Sequence, residues 1–360
     1  MSIYGSTGSH DDFPITTSPE EDSSLTNYSA EVSDANFSER EIMKKIKITL
    51  MTLIASMSQA TLAWAYPLDI DHGQGVTTIE KQPSRVVVFD LASLDTMDAL
   101  GESAVGVPDV LLPAYLNHYT DEKVAKVGTL FKPDFDAIKA LNPDLIIIAG
   151  RSRSAYPELA ELAPTIDLSI DPSSFEAGIS HNLTTLGAIF NKEQQANKLL
   201  TELNQSITSV QSLGSKQGSG LVLFTIKENI MLHAPGDRFG MLYGLTGLSS
   251  VVEPSSEQKT KVRPKPGSEE AKAAKLVREQ KLKQALDNNP EWLIVLDRGA
   301  ATGGEGQAEQ TLAARKAIAQ TSAWKSGQTY YVNPTNWYLA TGGYQSVSLT
   351  LSALQARFNK

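Results

Sequence analysis

Cysteine is absent from all 360 residues. The protein therefore has no disulfide and no thiol nucleophile, and it cannot carry the lipid-modified cysteine of an exported lipoprotein. Histidine is scarce, and His72, His118, His181 and His233 show none of the close spacings that metal sites use. Positive charge is not in excess either, with 32 Lys and Arg against 41 Asp and Glu. This composition argues against a zinc or manganese site and against nucleic-acid binding.

Motifs of the common catalytic sites are also missing. The chain has no G-x-S-x-G nucleophile elbow, no H-E-x-x-H helix and no phosphate-binding P-loop. The glycine-rich stretch 299–306 lacks the Lys-Ser/Thr pair of such a loop and contains Glu305, which would repel a phosphate. We expect a flexible connection between a strand and a helix there, and we predict that the protein is not an enzyme.

The first 65 residues differ in composition from the rest. Residues 1–42 hold nine acidic side chains and little apolar clustering, which predicts a disordered leader. Residues 43–65 have the parts of a secretory signal peptide: lysines after Met43, a short apolar core and an Ala-x-Ala cleavage site. Because a signal peptide must emerge first, we interpret 1–42 as a mis-called start. Without a lipidation cysteine, we expect the processed protein, beginning at Tyr66, to be free in the periplasm.

One local pattern occurs twice. The segments 142–151 and 289–298 both begin with Asn-Pro, continue into an apolar run and end in arginine, eight positions past the proline. Proline ends the preceding helix, and short apolar runs without polar alternation are typical of central parallel strands. Ligands of open α/β sheets bind beyond the carboxyl ends of the strands. The repeat therefore predicts two lobes that direct Arg151 and Arg298 towards an anion between them.

The order of predicted elements gives the domain organisation. Strand and helix patterns alternate over 66–173, helical periodicity alone fills 174–213, and a second alternating series occupies 214–360. We predict an α/β protein with two Rossmann-like lobes, mostly parallel sheets and a long connecting helix.

Further candidate ligand-binding residues lie outside the repeat. Arg238 follows a Pro-Gly turn, and Trp337 and Tyr338 follow a predicted strand. Lys261 and Arg263 lie in a proline-interrupted basic loop. Guanidinium groups suit flat, delocalised oxyanions because their donor fork is planar and their charge is permanent.

These motifs together resemble the periplasmic siderophore-binding proteins of ABC importers, particularly the enterochelin- and petrobactin-type catecholate binders. The resemblance covers nearly all of the chain after the signal peptide. It implies the class III fold of periplasmic binding proteins, in which a long helix joins two α/β lobes. The motifs that carry the resemblance are Arg85–Leu91, Leu94–Leu100, Asn142–Arg151, Asp237–Gly240, Asp297–Arg298 and Trp337–Gly342.

The resemblance also implies a ligand and its contacts. Three arginines of the family hold a ferric catecholate, and by motif these are Arg151, Arg238 and Arg298. The family's tyrosine that can coordinate Fe³⁺ falls on Tyr338. The loop where relatives place a histidine ligand reads 261–268 here and contains none. We therefore hypothesise a preference for hexadentate catecholates, with the basic loop adding positive charge.

The resemblance implies partners as well. The ligand is a ferric siderophore carrying Fe³⁺, no other cofactor is expected, and a monomer delivers the ligand to an inner-membrane ABC permease and its ATPase. Asp95 matches the acidic residue with which the first lobe docks on the permease. Two alternatives stay open: a haem or corrinoid binder on the same scaffold, and a periplasmic α/β hydrolase that acts on siderophores.

Overall fold

The computed structural model describes residues 66–254 and 264–360. The predicted leader (1–42), the predicted signal peptide (43–65) and the loop cations Lys261 and Arg263 lie outside the described residues. The described residues all belong to one compact unit. Within the described ranges, no helix has both the length and the apolar character needed to cross a membrane.

The first lobe is built on a five-stranded, fully parallel sheet in the order β5-β4-β3-β6-β7. An antiparallel hairpin of β1 (Leu68–His72) and β2 (Gly75–Ile79), which the sequence analysis did not predict, precedes it. The sheet strands are β3 (Val86–Val88), β4 (Gly106–Val107), β5 (Ala125–Lys126), β6 (Leu145–Ile148) and β7 (Thr165–Asp167), and the helices are α1 (Leu91–Ala99), α2 (Phe135–Leu141) and α3 (Tyr156–Ala160).

Two helices connect the lobes where the sequence predicted one. The first, α4, spans Phe175–Ile189, and the second, α5, spans Glu193–Gly214. The chain turns between them at Asn191, whose φ of 53° is left-handed and interrupts the helical hydrogen bonding. The predicted helical connector is therefore a pair of packed helices.

The second lobe repeats the parallel design in the order β10-β8-β11-β12, with β9 antiparallel to β8. Its strands are β8 (Ser219–Ile226), β9 (Asn229–His233), β10 (Ser249–Ser250), β11 (Trp292–Asp297) and β12 (Thr329–Tyr331). Its helices are α6 (Met241–Thr246), α7 (Glu269–Asp287), α8 (Arg298–Ala301), α9 (Ala308–Ala313), α10 (Lys316–Ala319), α11 (Ser322–Lys325), α12 (Pro334–Leu339) and α13 (Tyr344–Phe358). The predicted fold class is confirmed.

The two copies of the Asn-Pro pattern have the same local structure. Asn142 and Asn289 both adopt left-handed backbone angles, with φ of 45° and 48°, and so end the helix before the proline. The next acidic residue then binds the start of the neighbouring strand. Asp144 accepts the N–H of Arg85 at 2.8 Å, and Glu291 accepts the N–H of Ser219 at 2.6 Å. Asp144 thus fixes the register of β6 against β3, and Glu291 fixes that of β11 against β8. β6 and β11 are the strands that lead to Arg151 and Arg298.

Candidate functional site

Three arginines converge on one tyrosine at the carboxyl ends of the strands. Arg151 follows β6, Arg298 follows β11, and Arg238 lies in the turn after β9. Their guanidinium carbons lie 5.5, 5.7 and 5.3 Å, respectively, from the centre of the Tyr338 ring. The structure therefore brings together four of the predicted site residues from both lobes.

Hydrogen bonds fix these guanidinium groups. Arg151 donates to the backbone oxygen of Tyr338 and, at 3.4 Å, to that of Leu339. Arg238 donates to the same Tyr338 oxygen at 3.3 Å. The Nε–H of Arg298 donates to the Tyr338 hydroxyl oxygen at 3.0 Å. Because Arg151 belongs to the first lobe and Tyr338 and Leu339 to the second, the hydrogen bonds of Arg151 also join the two lobes.

The site carries an excess of positive charge. In the described part of the chain, none of these three arginines has a carboxylate within ion-pair distance. Desolvation by the surrounding protein lowers the pKa of Arg238 to about 10, and the neighbouring positive charge of Arg151 adds to the shift. Burial also lowers the pKa of Arg151, although Asp90 opposes that change. Such closely placed cations favour an anionic ligand.

Arg151 and Arg238 line a cleft of about 540 Å³ between the lobes, a size suited to a small molecule, whereas Arg298 and Tyr338 lie beside it in the same cluster. The first lobe contributes Asp90, Arg151 and Arg153, and the second contributes Arg238. The rest of the wall is mostly apolar: Ala92, Phe131, Leu168, Ile170, Phe175, Met241 and Leu339 line it. The cleft can hold a ligand that is both multiply charged and partly apolar.

Tyr338 and Trp337 are adjacent on α12 but have different environments. Tyr338 is half-buried, lies among the arginines and stacks on Phe224 at 6.1 Å between ring centres. Trp337 is 1% exposed, and its indole N–H donates to Thr350 at 2.6 Å. The expected role of Trp337 in ligand binding is thus corrected, because successive helix positions point about 100° apart and this ring packs in the core.

Asp95 is fully buried, which contradicts the docking role expected from its motif position. Its carboxylate accepts the backbone N–H groups of Gln345 and Ser346 at 2.7 and 2.9 Å and the hydroxyl of Tyr115 at 2.6 Å. These bonds satisfy the N-terminus of α13 in the other lobe. A carboxylate enclosed in this way cannot reach a separate protein, so Asp95 is an interlobe contact.

The structure adds two polar cleft residues that the sequence analysis missed. Asp90 caps α1 by accepting the N–H of Ser93 at 2.8 Å, and burial raises the pKa of its carboxyl. Arg153 lines the cleft and forms an ion pair with Asp167 at 2.8 Å, which neutralises most of its charge. The spacing of Arg153, two residues after Arg151, was the available signal.

The glycine-rich stretch 299–306 is held by its own chain. Asp297 accepts the backbone N–H groups of Gly299, Gln307 and Ala308 at 2.7 to 2.8 Å. Because these donors are occupied, the loop does not form a phosphate cradle. The described residues also contain no group of three or more His, Cys, Asp or Glu side chains that could hold a metal ion.

Two α/β lobes that enclose a cationic cleft define a ligand-binding protein. The family described as "Periplasmic binding protein" matches residues 86–335, and the chain belongs to this family. Because this is a family of binding proteins, membership confirms the prediction that the protein is not an enzyme.

Individual relatives cover almost the whole two-lobed unit. The chain is 31% identical to the petrobactin-binding protein YclQ of Bacillus subtilis over 79% of its length and 85% of the relative's. The crystal structure of YclQ superimposes with a TM-score of 0.71, covering 81% of this chain and 99% of that one at 29% identity. The periplasmic catecholate-siderophore binding protein VctP of Vibrio cholerae gives a TM-score of 0.70, with 80% and 99% covered at 26% identity. The ferric-anguibactin-binding protein FatB of Vibrio anguillarum is 26% identical over 82% of this chain and 89% of its own.

Proposed function

We propose that the protein captures a ferric catecholate siderophore in the periplasm and delivers it to an inner-membrane ABC importer. The observation that carries the proposal is the convergence of Arg151, Arg238 and Arg298 around Tyr338. A ferric tris-catecholate carries up to three negative charges on iron-bound oxygens, and planar guanidinium groups bind such oxygens well. The names of YclQ, VctP and FatB, which refer to petrobactin, a catecholate siderophore and ferric anguibactin, support a ligand of this kind.

The arrangement favours this ligand over haem or a corrinoid. Those ligands present large apolar macrocycles and need fewer converging cations. The cleft instead brings together Arg151 of the first lobe and Arg238 of the second, neither of which has an ion-pair partner among the described residues. The hydrolase alternative does not agree with membership in a family of binding proteins.

We further propose that the preferred catecholate is hexadentate, so that the siderophore alone saturates the iron. The loop 261–268 has no histidine that could complete a partly coordinated iron. Lys261 and Arg263 would then add long-range attraction for the anion. Tyr338 would contact the complex through its hydroxyl without displacing a siderophore oxygen.

A ligand panel tests the function directly. Purified protein is titrated with hexadentate and tetradentate ferric catecholates, a ferric hydroxamate and haem, and quenching of its tryptophan fluorescence is followed. We expect saturable quenching by both catecholates, with the lower Kd for the hexadentate complex, and weak or no response to the other two ligands. No response to any ferric catecholate would overturn the function, whereas tighter binding of the tetradentate complex would overturn only the denticity.

A Tyr338→Phe variant tests whether the phenol coordinates iron. We expect its Kd for the hexadentate complex to rise by less than about tenfold, because the change removes only the hydroxyl, with its hydrogen bond from Arg298 and its contact with the complex, and keeps the ring. The visible spectrum of the bound hexadentate complex should be the same in wild type and variant. A phenolate-to-iron absorption band that is present in wild type and lost in Tyr338→Phe would show direct coordination instead.

A further inference from the structure

Phe131 is an aromatic side chain of the cleft that the arginine site does not use. It is 66% exposed, yet it lines the same cleft as Arg151 and Arg238. A single exposed apolar residue is ordinary on a protein surface. An exposed aromatic ring on the wall of a ligand cleft is different, because a bound molecule can cover it and remove its surface from water.

The turn that carries Phe131 is fixed before any ligand arrives. The hydroxyl oxygen of Thr129 accepts the backbone N–H groups of Phe131 and Lys132 at 3.3 and 3.0 Å, and the Thr129 N–H donates to Lys132 at 2.9 Å. Gly128 enters the turn with a φ of +97°, and a Cβ there would lie 2.4 Å from the Lys132 oxygen. Asp109 donates its N–H to the Gly128 oxygen at 2.7 Å. Holding the backbone in this way reduces the entropy lost when the ring packs on a ligand.

The remaining wall shows what kind of ligand the ring would meet. Cations line the cleft together with buried apolar side chains such as Leu168, Phe175 and Leu339. An aliphatic polycarboxylate would satisfy the arginines but leave Phe131 in water. A catecholate presents its charged oxygens on the edge of an aromatic ring, so it can satisfy both features at once.

We propose that Phe131 packs against an aromatic ring of the ligand and selects aromatic oxyanion complexes over aliphatic ones. The inference rests on the proposed function and assigns its chemical selectivity to one residue. Phe131 touches neither the iron nor the charged oxygens in this arrangement. Its removal should therefore change selectivity more than it changes general anion binding.

The test compares Phe131→Ala with wild type by titration with ferric enterochelin and with ferric dicitrate. We expect the Kd for ferric enterochelin to rise about tenfold, as for one lost aromatic contact, and the Kd for ferric dicitrate to change less than about twofold. Phe131→Leu keeps apolar surface without a ring, so its Kd for ferric enterochelin should lie between those of wild type and Phe131→Ala. Leu276→Ala is the matched control, because Leu276 is 71% exposed on α7 and does not line the cleft.

The outcomes separate this inference from the proposed function. Unchanged ferric enterochelin binding by Phe131→Ala, or an equal loss for both ligands, would overturn the role of Phe131 while leaving the function intact. If wild type itself fails to bind ferric enterochelin and the other ferric catecholates, the proposed function fails and the inference falls with it. Since Phe131 is largely exposed, its truncation should leave the thermal unfolding temperature unchanged, which the same samples can confirm.

Discussion

Ferric catecholate binding by an Arg298→Ala variant is expected to be weaker than that of wild type by roughly 1.5 to 3 kcal/mol, or about 10- to 150-fold in Kd. Arg298 is half-buried, and its Nε–H donates to the Tyr338 hydroxyl at 3.0 Å. In the described part of the chain, no ion pair involves this side chain, so its truncation removes positive charge from the arginine cluster around Tyr338 without exposing an unpaired carboxylate. Isothermal titration with a hexadentate ferric catecholate measures the effect.

Two further variants make the Arg298 result specific. Arg298→Lys keeps the charge but loses the planar donor fork, so its Kd should lie between those of wild type and Arg298→Ala. Arg278→Ala removes an exposed arginine on α7, away from the cleft, and should bind like wild type. Wild-type affinity in a folded Arg298→Ala variant would place Arg298 outside the binding site.

The electrostatics of the free protein give a reason for such an effect. The pKa of Arg238 is lowered to about 10 by desolvation and by Arg151, and burial lowers the pKa of Arg151. Both shifts mean that the charged guanidinium groups destabilise the ligand-free protein at neutral pH. An anion between them offsets that cost. Part of the binding free energy therefore comes from relief of the desolvation of these cations and, for Arg238, of its repulsion by Arg151.

The parts of the fold that follow from the pattern of apolar residues along the sequence were predictable. The apolar runs that became β6 and β11 are buried on both faces, as central parallel strands are. The break at Asn191 was not predictable, because an isolated asparagine in a helical pattern does not show that its backbone will turn left-handed. The hairpin of β1 and β2 was missed because each strand has only five residues and β2 opens with two exposed positions, although β1 itself alternates between exposed and covered residues.

The sequence predicted the site residues that lie at the ends of strands. It did not predict those whose role depends on the direction of the side chain. Arg151 and Arg298 follow from the repeat, since parallel strands bring their carboxyl ends to one edge. Trp337 and Tyr338 share a motif, but only the tertiary packing decides which ring enters the core. Phe131 has no sequence signal, because a single phenylalanine in a loop is compatible with burial or exposure.

Asp95 is the clearest case in which a motif did not show whether a side chain is buried or exposed. Its replacement is therefore the most informative stability experiment. Asp95→Ala should lower the free energy of unfolding by roughly 2 to 4 kcal/mol, because it leaves buried donors without an acceptor. The donors concerned are the N–H groups of Gln345 and Ser346 and the hydroxyl of Tyr115. Denaturant unfolding at pH 7, compared with wild type, measures this change.

The pH dependence of the same carboxylate supplies the control. Burial raises the pKa of Asp95 from 3.8 to about 7, so the folded protein holds this proton more tightly than the unfolded chain does. The resulting stabilisation is complete below pH 3.8 and is lost as the pH rises through about 7. Asp95→Asn, which is neutral throughout, should therefore show a flatter stability profile over this range.

These measurements also decide between the two roles considered for Asp95. An interlobe contact predicts lost stability in Asp95→Ala, with ligand affinity reduced only as far as the lobes separate. A docking residue predicts wild-type stability and affinity, with impaired uptake in cells. Because the carboxylate binds the first N–H groups of a helix in the opposite lobe, we expect the first pattern. Acidic residues that dock on the proposed permease would then have to lie on exposed surfaces of the lobes.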